Sequence, residues 1–436
     1  MNQDDDHYSE WKPLGGWAIF CGVMRTHEDS WEKASGLPGI RPWQTHVHSD
    51  GSRPETFSAE SCRASQDCIR QQEEYYYPGF VRCLIPAGET TGKRPHVGSF
   101  TLPLGQEHSF GDYSVQVDYI DLFFFPDNHL IYCFKCRYID PDLGTIVALN
   151  EQIRNTRPGE IGFLAPILKA FCAGDCLNIG NKLKLFFCLS HDFTFTPEYT
   201  ENHLLYDLAT CASPGTAAGK GKQPDRKPSE SYFTSLTECS RISVFENWTA
   251  LCLFDTVTLL QRGAVYDFNW EFRYFRFLYV HSLFVKSYLS ETSREFYLDT
   301  VDHDLEEAFF DFDKHYNFRH ISYNFLPQMI YEKIREGLNI ERELTDIREA
   351  IGRDSRKRRE RREADEAKNE KRMNLVLFII ALLTVVEAVY HGTEWMFELS
   401  ENHYGSGFGI GSVLALAALY FFIYYYFKLR KSRKRS

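Results

Sequence analysis

Two apolar runs near the C-terminus constrain this chain more than any other feature. The first is Met373 to Tyr390 and the second is Phe408 to Phe427. Hydrocarbon offers no partner for backbone N–H and C=O groups, so such a run crosses a bilayer as a helix, and about 20 residues cover the ~30 Å core. Core helices of soluble domains are also apolar, but two adjacent runs with strongly charged flanks read as a transmembrane hairpin. The flanks set its direction. Arg353 to Arg372 carries ten Lys/Arg against six Asp/Glu, and the tail "KLRKSRKRS" carries six Lys/Arg and no acid. The connecting loop has no Lys or Arg and holds Glu394, Glu398 and Glu401. Basic flanks stay on the cytoplasmic side, so both termini and residues 1–372 are expected in the cytoplasm. Tyr424, Tyr425 and Tyr426 then fall at the inner interface and Trp395 near the outer one.

The first span has a distinct side. Asn374, Ala381, Thr384, Ala388 and His391 recur at intervals of 7, 3, 4 and 3, which gathers small or polar groups on one part of a helix surface. Glu387 lies beside that side, and Glu394 follows near the outer end. A carboxylate in a span costs about 2.5–3.5 kcal/mol on insertion scales and ordinarily faces protein or water. Two readings stand: an oligomeric pore lined by this helix, with Glu387 and Glu394 near its mouth, or a small-residue packing face beside a snorkelling glutamate.

The helix is expected to begin well before the membrane. From Ile340 to His391 there is no proline and, before the membrane end, one glycine, Gly352. Ile340, Leu344, Ile347 and Ile351 form an apolar stripe at coiled-coil spacing, and after Ile351 the charges mix at helical spacing as on a solvated face. The interleaved acids argue against a nucleic-acid surface. Upstream, Trp248 to Gln261, Asn269 to Leu298 and Asp302 to Tyr316 read as helices. Cys211 to Glu230, rich in Gly, Pro, Ser and Lys, reads as a flexible linker. Among the first 210 residues, "GGWAIFCGVM", "FVRCLIP", "YSVQVDYIDLFFF", "HLIYCFKCRYI" and "KLKLFFCLS" read as strands, with "FPDNHL" as a hairpin turn. Ser58 to Tyr75 and Leu143 to Thr156 read as helices. The expected class is an α+β membrane protein. Residues 1–211 form a cytosolic α/β domain, 212–231 a linker, 232–372 a helical region with a stalk, and 373–436 the hairpin with its basic tail.

The remaining motifs are weak. The formal net charge of −11 does not favour wholesale nucleic-acid binding. Twelve cysteines between Cys21 and Cys252 are irregularly spaced, and no export signal precedes them, so they read as reduced cytosolic thiols. Cys133-x-x-Cys136 and Cys172-x-x-x-Cys176 have the residue types for zinc, but residues i and i+3 of a strand point to opposite faces. "GTAAGKGK" lacks the strand and helix of a phosphate loop. His46, His48 and Asp50 read as a polar loop, and His191 and Asp192 join no constellation. Asn247-Trp248-Thr249 is a glycosylation sequon that would stay unmodified in the cytoplasm. No catalytic set and no metal site are expected.

"FRHISYNFLPQMIYEKIREGLNIERELTDIREAI", "EKRMNLVLFIIALLTVVEAVY" and the tail "KLRKSRKRS" together resemble the CorA superfamily of two-span ion transporters, over about Phe318–Ser436. The resemblance implies a homopentamer in which Asn374, Ala381, Thr384, Ala388 and His391 face a pore. It also implies residence in a bacterial inner membrane among lipid. CorA transporters carry Gly-Met-Asn after the first span, whereas this chain has Tyr390-His391-Gly392-Thr393-Glu394. That departure resembles the divergent CorA-like effectors of type III CRISPR defence, which implies a channel gated by a nucleotide second messenger on the cytosolic part. A magnesium-like divalent-cation transporter and a membrane-anchored enzyme or scaffold are the alternatives.

Overall fold

A computed structural model describes residues 7–27, 30, 33–34, 41–42, 72–84, 98–139, 142–171, 182–220, 222–263, 269–298, 303–400 and 420. The chain divides into two compact units, Met1–Ile351 and Gly352–Ser436. The protein is a mixed α+β chain with an N-terminal sheet and a long apolar C-terminal helix.

The strands of the first unit are β1 (Gly15–Arg25), β2 (Arg41–Pro42), β3 (Gly98–Phe110), β4 (Tyr113–Phe125), β5 (His129–Tyr138), β6 (Lys184–His191), β7 (Arg241–Ile242), β8 (Trp248–Cys252) and β9 (Thr256–Arg262). Among the described residues they form one sheet in the order β2-β3-β4-β5-β1-β6-β9-β8-β7. Every pairing is antiparallel except β6 with β9. The helices are α1 (Leu143–Asn155), α2 (Ala165–Phe171), α3 (Glu201–Thr210), α4 (Glu230–Cys239), α5 (Val280–Leu298), α6 (His303–His315), α7 (Phe325–Gly337) and α8 (Ile340–Ser400). A π-helix, Asn269–Tyr279, leads directly into α5.

Side-chain alternation along β1 divides the core in two. Ala18, Phe20 and Met24 pack with α1, α2 and α3. Trp17, Ile19, Cys21 and Val23 pack with the π-helix, α5, α6, α7 and the start of α8. Both faces of the sheet are therefore covered. That explains why its central strands read as continuous apolar runs, with β6 buried at all eight positions. The β4–β5 turn lies where the sequence placed it, with Asp127 and Asn128 both left-handed, a conformation these two residue types tolerate well. Asp142 caps α1 by accepting from the Thr145 amide at 2.8 Å.

Several expectations need correction. Trp248 to Gln261 is not helical but forms β8 and β9. These strands are buried on both faces, which removes the polar alternation that marks a strand, and their β-branched threonines and valine suit a pleat. The sheet therefore continues past the boundary expected at residue 211. Phe80 and Val81 of "FVRCLIP" belong to a single helical turn, Pro78–Val81, which Pro78 initiates. Strand β3 was not foreseen. Residues 58–71 of the Ser58–Tyr75 helix lie outside the described residues, and Gln72 and Glu73 are helical.

The linker expected over Cys211 to Glu230 contains a built structure. Asp207 of α3 is fully buried. It accepts the Gly215 and Ala217 amides at 2.8 Å each and the Tyr199 hydroxyl at 2.9 Å. One carboxylate thus closes the turns that follow α3, with Gly215 and Gly219 at positive φ where a side chain would be strained. Burial pushes Asp207 up to about 8, against four donors that favour its charged form, the Tyr199 hydroxyl and the Ala217, Gly215 and Thr216 amides. A folded-state pKa above the unfolded one means that the folded protein holds a proton the unfolded chain releases. The resulting stability is full below the ordinary carboxylate range and is lost as pH rises toward about 8. Thermal unfolding of the full chain and of Asp207→Asn between pH 4 and 8 should diverge. The wild type should lose stability relative to the variant at up to about 1.4 kcal/mol per pH unit, and parallel curves would refute the protonated carboxyl.

Candidate functional site

The residues singled out in the sequence lie on α8. The turn that starts it is sharp: α7 stops at Gly337, and Asn339 takes a left-handed conformation before Ile340. The expected stripe is real, since Ile340, Leu344, Ile347 and Ile351 are all buried in the core. Ion pairs reinforce it. Lys286 of α5, itself buried, meets Glu343. Arg335 of α7 reaches Glu341 through Nε at 2.8 Å and Nη2 at 2.6 Å. Arg348 Nη2 lies 2.8 Å from each carboxylate oxygen of Asp313 of α6, a charge-assisted contact in which one nitrogen is shared by two oxygens. Arg335 also donates to the Tyr331 hydroxyl at 3.1 Å, and that hydroxyl lies 3.1 Å from His281 Nδ1. Burial, with the nearby Arg335, pushes His281 down to about 3, so the ring is neutral at ordinary pH.

In the second unit the helix continues without a break through Gly352 to Ser400. The charged stretch carries the helical-spacing pairs expected of a solvated face, with Arg358–Asp354 at 3.2 Å and Arg359–Glu363 at 3.0 Å. Then comes the apolar band. Among the described residues, α8 is the one helix long and apolar enough to cross a membrane, and no described residue buries its apolar band. Met373, Leu375, Leu377, Ile380, Leu383 and Val386 are each about half exposed or more. The second expected span and the basic tail lie outside the described residues, except Tyr420, which is helical and exposed.

At 3.6 residues per turn, Asn374, Ala381, Ala388, Thr384 and His391 fall within an arc of about 100°. Leu377 falls in the same arc and Met373 at its edge, so the small and polar character is interrupted twice. Glu387 lies about 40° beyond His391 and Glu394 about 60° beyond it. The Thr384 hydroxyl donates to the Ile380 carbonyl at 2.9 Å, which satisfies it within the helix. His391 Nδ1 lies 3.4 Å from Glu394 Oε2, one turn along. These two candidates are brought together, and the others are strung along the helix. The cysteine pair is not a chelate: Cys133 and Cys136 lie in the cores on opposite faces of the sheet, while Cys172 and Cys176 lie outside the described residues. So do His46, His48 and Asp50. His191 is buried beside Phe193 and Phe195, with its pKa lowered by burial. The eight cysteines among the described residues carry free thiols.

The sequence reading missed a group of buried charges between the sheet and the π-helix. Glu271 accepts the Tyr119 hydroxyl at 2.7 Å and Lys135 Nζ at 2.6 Å. Arg276 lies 2.7 Å from Asp121 Oδ2, while Asp121 Oδ1 accepts from Thr101 at 2.6 Å. Glu271, Arg276, Asp121 and Lys135 are all buried. Burial alone would lower the Arg276 pKa, but Asp121, Tyr119 and Glu271 outweigh it and raise it. A signal was present in "DYIDLFFF" and "CFKCR", where a charge interrupts an apolar strand on the face that faces the core.

No family model matches the chain, and no curated protein or solved structure matches it. Substituting Leu383→Arg in the middle of the apolar band should weaken membrane insertion by about 2.5–3.5 kcal/mol. Wild-type chain should stay in the membrane pellet after alkaline carbonate extraction while the variant shifts toward the supernatant; a wild type fully released by carbonate would contradict a span.

Proposed function

We propose that the chain is a CorA-like ligand-gated channel: a homopentamer in which copies of α8 surround a pore and the folded unit carries the controlling ligand site. The observation that carries the reading is α8 itself. Its first three turns are a buried part of the folded unit, and the same unbroken helix then presents an apolar band that none of the described residues buries. Lipid and neighbouring copies cover such a band, and the side bearing Asn374, Ala381, Thr384, Ala388 and His391 turns to the pore. The basic stretch below the band fits a cytoplasmic stalk.

The ligand we assign is a nucleotide second messenger of the type III CRISPR kind. Support comes from the missing Gly-Met-Asn, whose place is taken by Tyr390–Glu394; the same departure weighs against a magnesium-like transporter. A ligand gates only by binding the open and closed states unequally. The reading makes residues 1–351 cytoplasmic and assigns no catalytic role.

Full-length protein in lipid nanodiscs should show the mass of five chains, and in liposomes it should pass ions on addition of cyclic oligoadenylates or related nucleotides. Thr384→Trp should reduce that flux at least about tenfold, because a bulky ring in a narrow lining closes it. A monomer, or unchanged flux in the variant, would contradict the reading.

A further inference from the structure

The winding of the helix ahead of α5 has a cause on the sheet. Asn269–Tyr279 is π-wound over eleven residues, and the chain turns α-helical at Val280. Long π stretches are rare, because the i→i+5 pattern is ordinarily confined to single turns at functional sites. Two charged residues that dock this segment on the sheet, Glu271 and Arg276, are five apart. Glu271 sits over the cross-strand pair Tyr119 and Lys135, and Arg276 sits over Asp121, two residues along β4. The i→i+5 pattern brings residues five apart to the same side. At 3.6 residues per turn, the same two would point about 140° apart, so both could not meet the sheet. An α-wound segment would part at least one of these buried charges from the partner it meets here, which is unfavourable.

The segment is also tied elsewhere. The Arg273 carbonyl accepts the Tyr76 hydroxyl at 3.3 Å, and Trp270 packs edge-on against Trp248 with centroids 4.9 Å apart. Downstream, the helix carries Lys286, whose ammonium meets Glu343 in the first turns of α8. Each residue of register gained or lost in the π segment turns α5 by about 100° about its own axis. A turn of that size removes Lys286 from Glu343.

From this geometry we infer that Asn269–Tyr279 is a two-state winding element, held in the π form by the Glu271–Lys135 and Arg276–Asp121 pairs, and that its change to α winding releases α8 from Lys286. The inference deepens the channel reading by naming what controls α8, and it rests on that reading only for the consequence in the membrane. The winding and the Lys286–Glu343 contact belong to the folded unit and are read without any flux. A ligand biases the element through contacts that differ between the two windings.

The test uses the full chain in nanodiscs. A water-soluble carbodiimide joins a contacting ammonium and carboxylate without a spacer, and peptide mass spectrometry quantifies the Lys286–Glu343 link. Wild type should give the link. Asp121→Leu with Arg276→Met, which replaces one pair by apolar groups, should lower its yield at least about tenfold. Asp121→Arg with Arg276→Asp, which restores a pair of reversed sign, should bring the yield back. Lys135→Met with Glu271→Leu probes the other pair in the same way. The inference is overturned if the apolar variants melt cooperatively yet keep the link within about twofold of wild type, if wild type gives no link, or if neither apolar variant folds, since the pairs would then be needed for folding itself. Loss of the link in a protein that shows no ion flux would support the switch while sinking the channel.

Discussion

Burial of one apolar stripe decides what the rest of this chain is able to do. Ile340, Leu344, Ile347 and Ile351 lie in the core beneath the sheet, so the longest helix among the described residues starts as an internal part of the folded unit. Removing a buried Leu or Ile side chain from such a site costs about 2–5 kcal/mol, a large fraction of a typical folding free energy. Lys286–Glu343, Arg335–Glu341 and Arg348–Asp313 surround the stripe. Glu341 and Arg348 are partly solvated, which limits what those two pairs add. Their value lies in direction, since they reach α8 from α5, α7 and α6 respectively.

Charge inside the first unit is arranged to specify more than to stabilise. Replacing a buried ion pair by packed apolar groups is often neutral or favourable, whereas removing one partner is strongly unfavourable. The Glu271 and Arg276 contacts fit that pattern: they select one winding for the π-helix and one placement over β4 and β5. Asp207 plays a comparable part on the other side of the sheet, where a single carboxylate holds the amides of Gly215 and Ala217. In both places a polar group fixes a backbone conformation that propensity alone would not choose.

How much of this was legible depended on whether the signal was local. The helix from Ile340, its buried stripe and the apolar band could be read because their periods are carried by neighbouring residues. Strands β1, β4, β5 and β6, and the Asp127–Asn128 turn, were legible for the same reason. Strands β8 and β9 were not, because burial on both faces erases the alternation that separates a strand from a helix. The linker was misjudged because its order comes from Asp207, which lies outside it and acts through tertiary contact. The π winding was invisible, since the partners of Glu271 and Arg276 lie more than 130 residues away on the sheet. Of the candidate site, the positions along α8 were legible, but Leu377 within the same arc was overlooked.

On the channel reading, α8 crosses a bilayer with one side toward water and the rest toward lipid. Spin labels placed singly along 373–391 of the full chain in nanodiscs test it most directly, by their relative accessibility to oxygen and to a water-soluble nickel chelate. A pore-lining α8 should show a helical period in the ratio, with nickel access highest at Ala381, Thr384 and Ala388 and oxygen access highest at Leu375, Ile379, Leu383 and Val386. Uniform oxygen access around the helix would leave a bare anchor, and uniform nickel access would remove α8 from the membrane altogether.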